Sequence, residues 1–276
     1  PFQHVLVVRL HQQAEEFGGF AAQFPYHGAH GFIIEGLLDA LRQGIGLAVC
    51  ERIVADWDVV IIDVQDGSEL AAGLARRTGG RVAAYQADIG DESAVREVFT
   101  WLAADVSWSV GGLVNCAGIY SEAAPGSGTD EDELRLFRVN VLGVQHMVNH
   151  AVPLMARAGH GSIVTVASMA GRMGADSAAE AYTGSKSDLI GRSKQWAKVY
   201  GPRGIRSNVV APGPVKTRML RSWSPAQFQA FVEKTPLRRV AEPEDVADAV
   251  WFFLSDYSRH ITGVSLDVNG GYYIAP

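Results

Sequence analysis

Val59-Val60-Ile61-Ile62-Asp63 is a run of β-branched apolar side chains that ends in a carboxylate. A strand that is apolar throughout fits a sheet covered on both faces, because a strand with one wet face would alternate apolar and polar residues. Further apolar runs, separated by segments with helical periodicity, lie at 32–34, 81–87, 112–115, 162–168, 205–210 and 264–268. This alternation predicts an α/β fold with one doubly wound, parallel central sheet and helices on both faces.

The chain has 276 residues, 47% of them hydrophobic, which is ample for a core. No composition shift or polar linker interrupts residues 31–276, so we expect one Rossmann-type domain there; residues 1–30 receive no fold assignment. The formal charge of −6 disfavours partners such as nucleic acid or an anionic membrane. Cys50 and Cys116 lack metal-ligand spacing, so no metal is expected. No apolar run reaches a membrane-spanning length and no signal peptide is recognised, which predicts a cytoplasmic protein.

Tyr182-Thr183-Gly184-Ser185-Lys186 places a phenol and an ammonium four residues apart near the start of a helix-favouring run. Positions i and i+4 share one face of a helix. A lysine charge close by lowers the pKa of a phenol, so Tyr182 and Lys186 have the makings of a general acid/base. The same spacing is more often an ordinary surface pair, so the other polar groups of the chain must decide between the two interpretations.

Small or polar residues follow each predicted strand, at the end where a doubly wound sheet binds its ligands. A glycine turn that enters a helix can hold a pyrophosphate. Asp63 lies nineteen residues after Gly44, where a carboxylate can accept from a ribose 2′-hydroxyl and repel a 2′-phosphate. Each position alone is equally compatible with a structural turn or a helix cap. The candidate cofactor positions are Gly36, Gly44, Ile45, Gly46, Asp63, Asp88, Ile89, Asn115, Ala117, Gly118, Pro212, Gly213, Val215 and Thr217.

In combination and in this order, the motifs resemble the classical short-chain dehydrogenase/reductase family over residues 31–276. The matching residues are Asn115-Cys116-Ala117-Gly118, Asn140, Ser168, Tyr182-x-x-x-Lys186, Pro212-Gly213 and Asp267-Val268-Asn269-Gly270-Gly271. The resemblance implies that Tyr182 donates or accepts the proton and that Lys186 lowers its pKa and holds the nicotinamide ribose. It implies that Ser168 binds the substrate oxygen and that Asn140 supports a water leading protons to solvent.

The resemblance also implies an NAD-dependent oxidoreductase that interconverts a secondary alcohol and a ketone. Tyr182 and Lys186 would join the positions above in binding the cofactor, with Val215 and Thr217 on its carboxamide. Residues 215–240 would form a substrate lid. Its large apolar side chains, which suggest an apolar or cyclic substrate, are Met219, Leu220, Trp223, Phe228 and Phe231.

A homo-oligomer, a tetramer or a dimer, is expected on the long helical runs at 129–158 and 179–200. A kink or break is expected at Pro153 within the first of these runs. The apolar side chains on these runs serve either such an interface or ordinary core packing, and periodicity alone leaves both open. The side chains in question are Leu136, Val144, Leu189 and Trp196.

The glycine turn departs from the family's Thr-Gly-x-x-x-Gly-x-Gly. Glu35 stands in place of the threonine, and seven residues separate Gly36 from Gly44. Natural divergence and a reading-frame error both explain this. If the chain is made as written, we expect reduced cofactor affinity. Two alternatives therefore remain open: a catalytically impaired member that serves as a binding or scaffold subunit, and use of NADP, whose 2′-phosphate Arg42 could meet.

Overall fold

The computed structural model describes residues 30–33, 44–104, 109–116, 118–121, 126–175, 178–220 and 223–275. All structural statements below concern these residues. Of the predicted features, the segment 1–29, most of the glycine turn including Glu35, Gly36 and Arg42, and the cofactor candidate Ala117 lie outside them.

All described strand pairs are parallel, which confirms the predicted sheet type. The strands are β1 (His30–Ile33), β2 (Trp57–Asp63), β3 (Val82–Gln86), β4 (Gly112–Asn115), β5 (Gly161–Val166), β6 (Ile205–Pro212) and β7 (Ser265–Val268). They form two hydrogen-bonded groups, β1-β2-β3 and β4-β5-β6-β7. Cα atoms of β1 come within 8 Å of β4, so the order reverses between these two strands. Ligands of doubly wound sheets bind at such a reversal.

Helices connect the successive strands. They are α1 (Ile45–Ile53), α2 (Ser68–Thr78), α3 (Glu92–Ala104), α4 (Asp130–Phe137), α5 (Val144–Ala158), α6 (Ala170–Met173), α7 (Glu180–Tyr200), α8 (Pro225–Lys234) and α9 (Pro243–Leu254). Short 3-10 turns lie at Gly201–Arg203, Arg218–Leu220 and Asp256–Ser258. Capping residues in the sequence explain where some of the α-helices begin. Thr129 caps α4 in a capping box with Asp132, and Pro225 is the first residue of α8, after the cap Ser224. None of the described helices is both long and apolar enough to cross a membrane.

Alternate side chains of β2 enter two different apolar clusters. Val59 and Ile61 pack with α1 and α9, whereas Val60 and Ile62 pack with α3, α5 and α7. Both faces of the strand are therefore dry, which explains why this part of the sequence is apolar without alternation. The four apolar residues considered for an interface are buried within the protomer, since each is at most 4% exposed: Val144, Leu189 and Trp196 in the second of these clusters, and Leu136 in a separate cluster with Tyr182.

Of the two expectations for Pro153, the break is wrong, and the kink stays a prediction. Pro153 lies inside α5, which runs from Val144 to Ala158. A proline has no N–H, so the carbonyl of Asn149 loses its helical donor at Pro153. Both residues are exposed, so water can bind that carbonyl instead. The irregularity lies upstream, where Arg138–Gly143 forms a π-helix between α4 and α5. Such bulges are frequent at functional sites.

Candidate active site

A cavity of about 520 Å³ opens at the carboxyl ends of β4, β5 and β6. Side chains from widely separated predicted motifs meet in its wall. The sequence-predicted residues that line it are Ile45, Gly118, Ser168, Tyr182, Lys186, Pro212, Gly213, Val215 and Thr217. The structure thus brings together residues that are up to 172 positions apart, from Ile45 to Thr217.

Helix α7 points Tyr182 and Lys186 into this cavity from successive turns of the same face. Both side chains are buried, and the Lys186 ammonium lies 5.9 Å from the centre of the Tyr182 ring. Lys186 Nζ donates to the Val166 carbonyl at the end of β5, at 3.1 Å. A phenol and a buried ammonium therefore share one wall, as the four-residue spacing predicted.

Burial raises the pKa of Tyr182 above its ordinary value, because the phenolate loses its hydration. A hydrogen bond with the Ser168 side chain acts in the lowering direction, and Tyr120, whose ring centre lies 5.1 Å away, acts in the raising direction. The net direction is opposite to the one expected from the charge of Lys186 alone. The phenol is accordingly held in its protonated form at neutral pH.

Burial lowers the pKa of Lys186 to about 8, and the nearby Cys116 partly offsets this effect. The ammonium reaches its position because residue 118 is a glycine: a Cβ there would lie 2.9 Å from Lys186 Nζ. A glycine is thus needed at position 118 so that Lys186 can pack there. The sequence suggested a different reason for a small residue, namely the close approach of the backbone to a ligand.

Ser168 lies just beyond β5, and its hydroxyl oxygen accepts the N–H of Ala170 at 3.1 Å. The same side chain forms the hydrogen bond with Tyr182. Its oxygen is thereby fixed by the local turn, while its hydrogen can be directed into the cavity. An oriented hydroxyl beside a protonated phenol is suited to bind one substrate oxygen from two sides.

Asn140 lies in the π-helix and is fully buried. Its amide oxygen accepts the N–H of Ile119 at 2.8 Å, and its Nδ2 donates to the Ile119 carbonyl at 3.0 Å and to Ser185 Oγ at 3.1 Å. Ser185 Oγ in turn donates to the Tyr182 carbonyl at 2.8 Å. The side chain of Asn140 therefore connects the loop after β4 to the first turns of α7.

Some of the predicted cofactor positions lie outside the cavity wall. Asp63 ends β2 with a buried carboxylate, whose Oδ1 accepts the N–H of Gln65 at 2.9 Å. Asp88 accepts from the N–H of Gly90 through Oδ1, and from Arg138 through Oδ2 at 3.1 Å. A ligand amino group at Asp88 would compete with these donors.

The remaining positions combine packing with candidate ligand contacts. Gly44 is the extended N-cap of α1, and Gly46 is buried in that helix. Ile89 is fully buried against Gly143, so only its backbone can face a ligand. Asn115 Nδ2 lies 3.3 Å from Thr165 Oγ1, whereas its buried Oδ1 has no hydrogen-bond partner among the described residues.

Several cavity residues were not predicted as site residues from the sequence. Tyr120 follows Gly118 closely, and Cys116 is the second residue of the Asn115–Gly118 motif. Tyr272 enters the cavity from the tail beyond β7, where Gly270 and Gly271 both adopt positive φ and turn the chain back. Its ring stacks on Phe231 of α8 at 4.8 Å. The glycine pair was the available signal, because consecutive glycines mark a reversal.

Groups of acidic, cysteine or histidine side chains arranged to hold a metal ion do not occur in the described part of the chain. The polar side chains that the described residues contribute to the cavity wall include Ser168, Lys186, Thr217, the thiol of Cys116 and the phenols of Tyr120, Tyr182 and Tyr272.

Comparison with known proteins gives consistent matches. The family model described as Enoyl-(Acyl carrier protein) reductase matches residues 40–273. The (3R)-3-hydroxyacyl-CoA dehydrogenase of Canis lupus familiaris is 32% identical, covering 84% of this chain and 88% of its own length. The Cis-4-hydroxycyclohexanecarboxylate dehydrogenase of Sinomonas cyclohexanicum is 34% identical, covering 83% and 92%. The crystal structure of 3-oxoacyl-[acyl-carrier protein] reductase from Brucella melitensis superposes with a TM-score of 0.76 at 30% identity, covering 84% and 88%.

Proposed function

This chain belongs to the short-chain dehydrogenase/reductase family, and on that premise we propose that it is an NAD-dependent oxidoreductase interconverting a secondary alcohol and a ketone. One observation carries the proposal: Tyr182, Ser168 and Lys186 converge on a single cavity at the carboxyl ends of the parallel strands. Together these groups can transfer a proton to or from the oxygen of an alcohol and hold that oxygen by hydrogen bonding.

Tyr182 is the general acid/base of the proposed reaction. Its phenol gives a proton to the ketone oxygen during reduction, and the phenolate takes the hydroxyl proton during oxidation. Ser168 donates a hydrogen bond to the same oxygen, and Lys186 contributes the positive charge that favours the phenolate. A bound nicotinamide supplies the hydride chemistry. The Asn140 network holds the Ile119 loop and α7 in register, and the relay of protons through a water near Asn140 remains a prediction.

The residues present fit a dinucleotide. Gly118 has no side chain where it meets Lys186, so its backbone borders the cavity. Gly44 and Gly46 stand at the N-terminus of α1, where a pyrophosphate is favoured. Pro212, Gly213, Val215 and Thr217 also line the cavity, and Val215 and Thr217 would face the carboxamide.

The position of Asp63 supports NAD over NADP. The residue lies at the carboxyl end of β2, where a carboxylate can accept a hydrogen bond from a ribose 2′-hydroxyl and would repel a 2′-phosphate. Asp88 and Ile89, in the loop that follows β3, would border the adenine.

An apolar or cyclic small molecule is the proposed substrate. The lid side of the cavity carries Met219, Leu220, Trp223 and Phe231, and Trp223 packs edge-on against Phe231 at 5.8 Å. A relative whose name specifies a hydroxycyclohexanecarboxylate supports a ring-bearing substrate. Phe228, the other lid aromatic in the prediction, does not line the cavity.

We also propose a homo-oligomer, a tetramer or a dimer, in a cytoplasmic setting. The core residues named above are not available for its interface, but the α4 to π-helix face exposes Leu134, Phe137 and Leu142. Sedimentation of the wild type at several concentrations tests this proposal; a monomer throughout would contradict it.

The activity is tested by mixing the protein with NADH and a panel of cyclic and open-chain ketones, and with NAD and the matching alcohols, while following the absorbance of the reduced nicotinamide. Turnover with at least one pair is expected. Folded protein that turns over none of them would favour the alternative, a catalytically impaired binding or scaffold subunit.

A further inference from the structure

Arg172 connects the segment after Ser168 to the last strand of the sheet. Its Nη2 donates to Asp267 Oδ2 at 3.2 Å, and both side chains are largely buried, 19% and 17% exposed. The guanidinium also lies 5.6 Å from the ring centre of Tyr273. The proton chemistry of the proposed reaction makes no direct use of either charge, so their burial beside the site calls for an explanation.

Helix α6, which carries Arg172, packs against α7, the helix that carries Tyr182 and Lys186. A Cβ at Gly171 would lie 2.7 Å from the carbonyl carbon of Lys186 and 2.8 Å from the nitrogen of Ser187. Ser187 Oγ donates to the Gly171 carbonyl at 3.0 Å. The backbone of α6 at Gly171 therefore lies in close contact with the backbone of α7 at Lys186 and Ser187, which fixes the position of α6 relative to Lys186.

The segment that begins at Ser168 is also tied to β6. The N–H of Met169 donates to the Pro212 carbonyl at 2.7 Å, and Asp267 lies beside Ala211 in the β6–β7 ladder. Ser168 accepts from this same segment, through its hydroxyl from Ala170 and through its carbonyl from Gly171. Any displacement of residues 169–172 is thus transmitted to Ser168.

The ion pair between Arg172 and Asp267 has a single hydrogen bond, whereas a bidentate pair with two hydrogen bonds would stabilise the fold more. Arg172 Nε and Asp267 Oδ1 are buried and have no hydrogen-bond partner in the described part of the chain. A bidentate pair would have used both atoms. Since largely buried ion pairs often add no net stability, a role in fixing position accounts better for this pair.

We propose that Arg172 is a positioning residue: its ion pair with Asp267 fixes residues 168–172 so that the Ser168 hydroxyl faces Tyr182. The catalytic consequence rests on the proposed function, whereas the placement of Ser168 does not. Arg172 acts through the segment and touches neither the substrate oxygen nor the phenol.

The test compares Arg172→Met, Arg172→Lys and Asp267→Asn with the wild type. Arg52→Met is the matched control, because Arg52 likewise pairs with a carboxylate, Asp248, and lies over an aromatic ring, Trp251, away from the cavity. Two readouts are taken: steady-state kcat and KM, and titration of Tyr182 by isotope-labelled tyrosine NMR, assigned with Tyr182→Phe.

In Arg172→Met and Asp267→Asn, we expect kcat to fall between about tenfold and about a hundredfold with little change in KM, as for an interaction that matters in the transition state. The pKa of Tyr182 should rise, as it should in Ser168→Ala, because the hydrogen bond from Ser168 acts in the lowering direction. Arg172→Lys should recover part of both effects. Arg52→Met should show neither.

The proposal is overturned if Arg172→Met and Asp267→Asn leave both the titration of Tyr182 and kcat at wild-type values. A merely structural pair would lower the melting temperature without moving the titration, which also overturns it. If Arg172→Met fails to fold, the comparison uses Arg172→Lys and Asp267→Asn. An inactive wild type would instead count against the proposed function, and the titration would still decide the placement of Ser168.

Discussion

The side-chain amide of Asn140 pairs with both backbone groups of Ile119, accepting its N–H at 2.8 Å and donating to its carbonyl at 3.0 Å. Asn140 sits in a π-helix, and Ile119 belongs to the loop after β4 that borders the cavity. The amide thus substitutes for the backbone partner that an irregular loop lacks. A buried backbone group without such a partner would cost free energy.

Replacing Asn140 with alanine should therefore lower the free energy of unfolding. Both backbone groups of Ile119 would be left buried without this partner, at about 2 to 4 kcal/mol in total. Chemical denaturation measures the change. Asn149→Ala, at an exposed position on α5, is the control and should stay within about 0.5 kcal/mol of the wild type. Equal stability of the two variants would contradict the role given to the amide.

Lys186 should make stability depend on pH. Its pKa falls from 10.5 to about 8 on burial, so the unfolded chain binds more protons than the folded protein between these values. Stability from this group therefore rises as the pH increases from about 8 to 10.5. Lys186→Met removes the cost of burying the charge and should stabilise the protein at neutral pH, by up to about 3 kcal/mol.

The gain from Lys186→Met should shrink as the pH rises through this window, because the wild-type lysine then becomes neutral as well. Denaturation at a series of pH values measures the difference. Lys198→Met, at an exposed position on the same helix, should show no such trend. A difference between wild type and Lys186→Met that does not vary with pH would exclude this explanation.

Asp63 is expected to determine the choice of dinucleotide. In Asp63→Ser the ribose 2′-hydroxyl would lose a charged acceptor, and the dissociation constant for NADH should rise between about tenfold and about a hundredfold. The preference for NADH over NADPH should fall, because the repulsion of a 2′-phosphate is removed. Fluorescence titration with both nucleotides measures this; Glu69→Ser loses the same charge at an exposed position and is the control. An unchanged preference would place the ribose elsewhere.

Much of this architecture could be predicted from local sequence. The run Val59–Asp63 predicted a strand covered on both faces, because its apolar residues follow one another without a polar residue between them. Tyr182 and Lys186 were predictable as neighbours because helical spacing alone puts them on one face. The positions of Ser168 and Pro212 followed from the rule that parallel strands end at one edge of the sheet.

What the sequence did not predict depends on contacts between distant segments. Arg172 and Asp267 are 95 residues apart, and neither has a local partner that signals the pairing. Tyr272 reaches the cavity only because the positive-φ glycines before it reverse the tail. At Pro153, propensity predicted a kink or a break; no break occurs, because the buried side of α5 and the solvent exposure of the proline allow the helix to continue. Tertiary packing overrides propensity at this position.

Tyr272 provides a test of how the cavity binds substrate. Its ring stacks on Phe231 at 4.8 Å and forms part of the apolar wall. Tyr272→Ala should raise KM for a cyclic ketone about tenfold or more with a smaller effect on kcat, since the wall binds ground state and transition state alike. Tyr257→Ala, at a position 76% exposed, is the control for loss of a ring. A fall in kcat with unchanged KM would instead assign Tyr272 a part in the chemistry.

The central claim is that the phenol of Tyr182 transfers the proton. The direct measurement is the rate of NADH consumption, with a ketone that the wild type reduces, in wild type and in Tyr182→Phe, together with NADH binding by both. We predict that Tyr182→Phe binds NADH as the wild type does and reduces the ketone at least about a thousandfold more slowly. A Tyr182→Phe variant that reduces the ketone at a rate close to that of the wild type would contradict the claim.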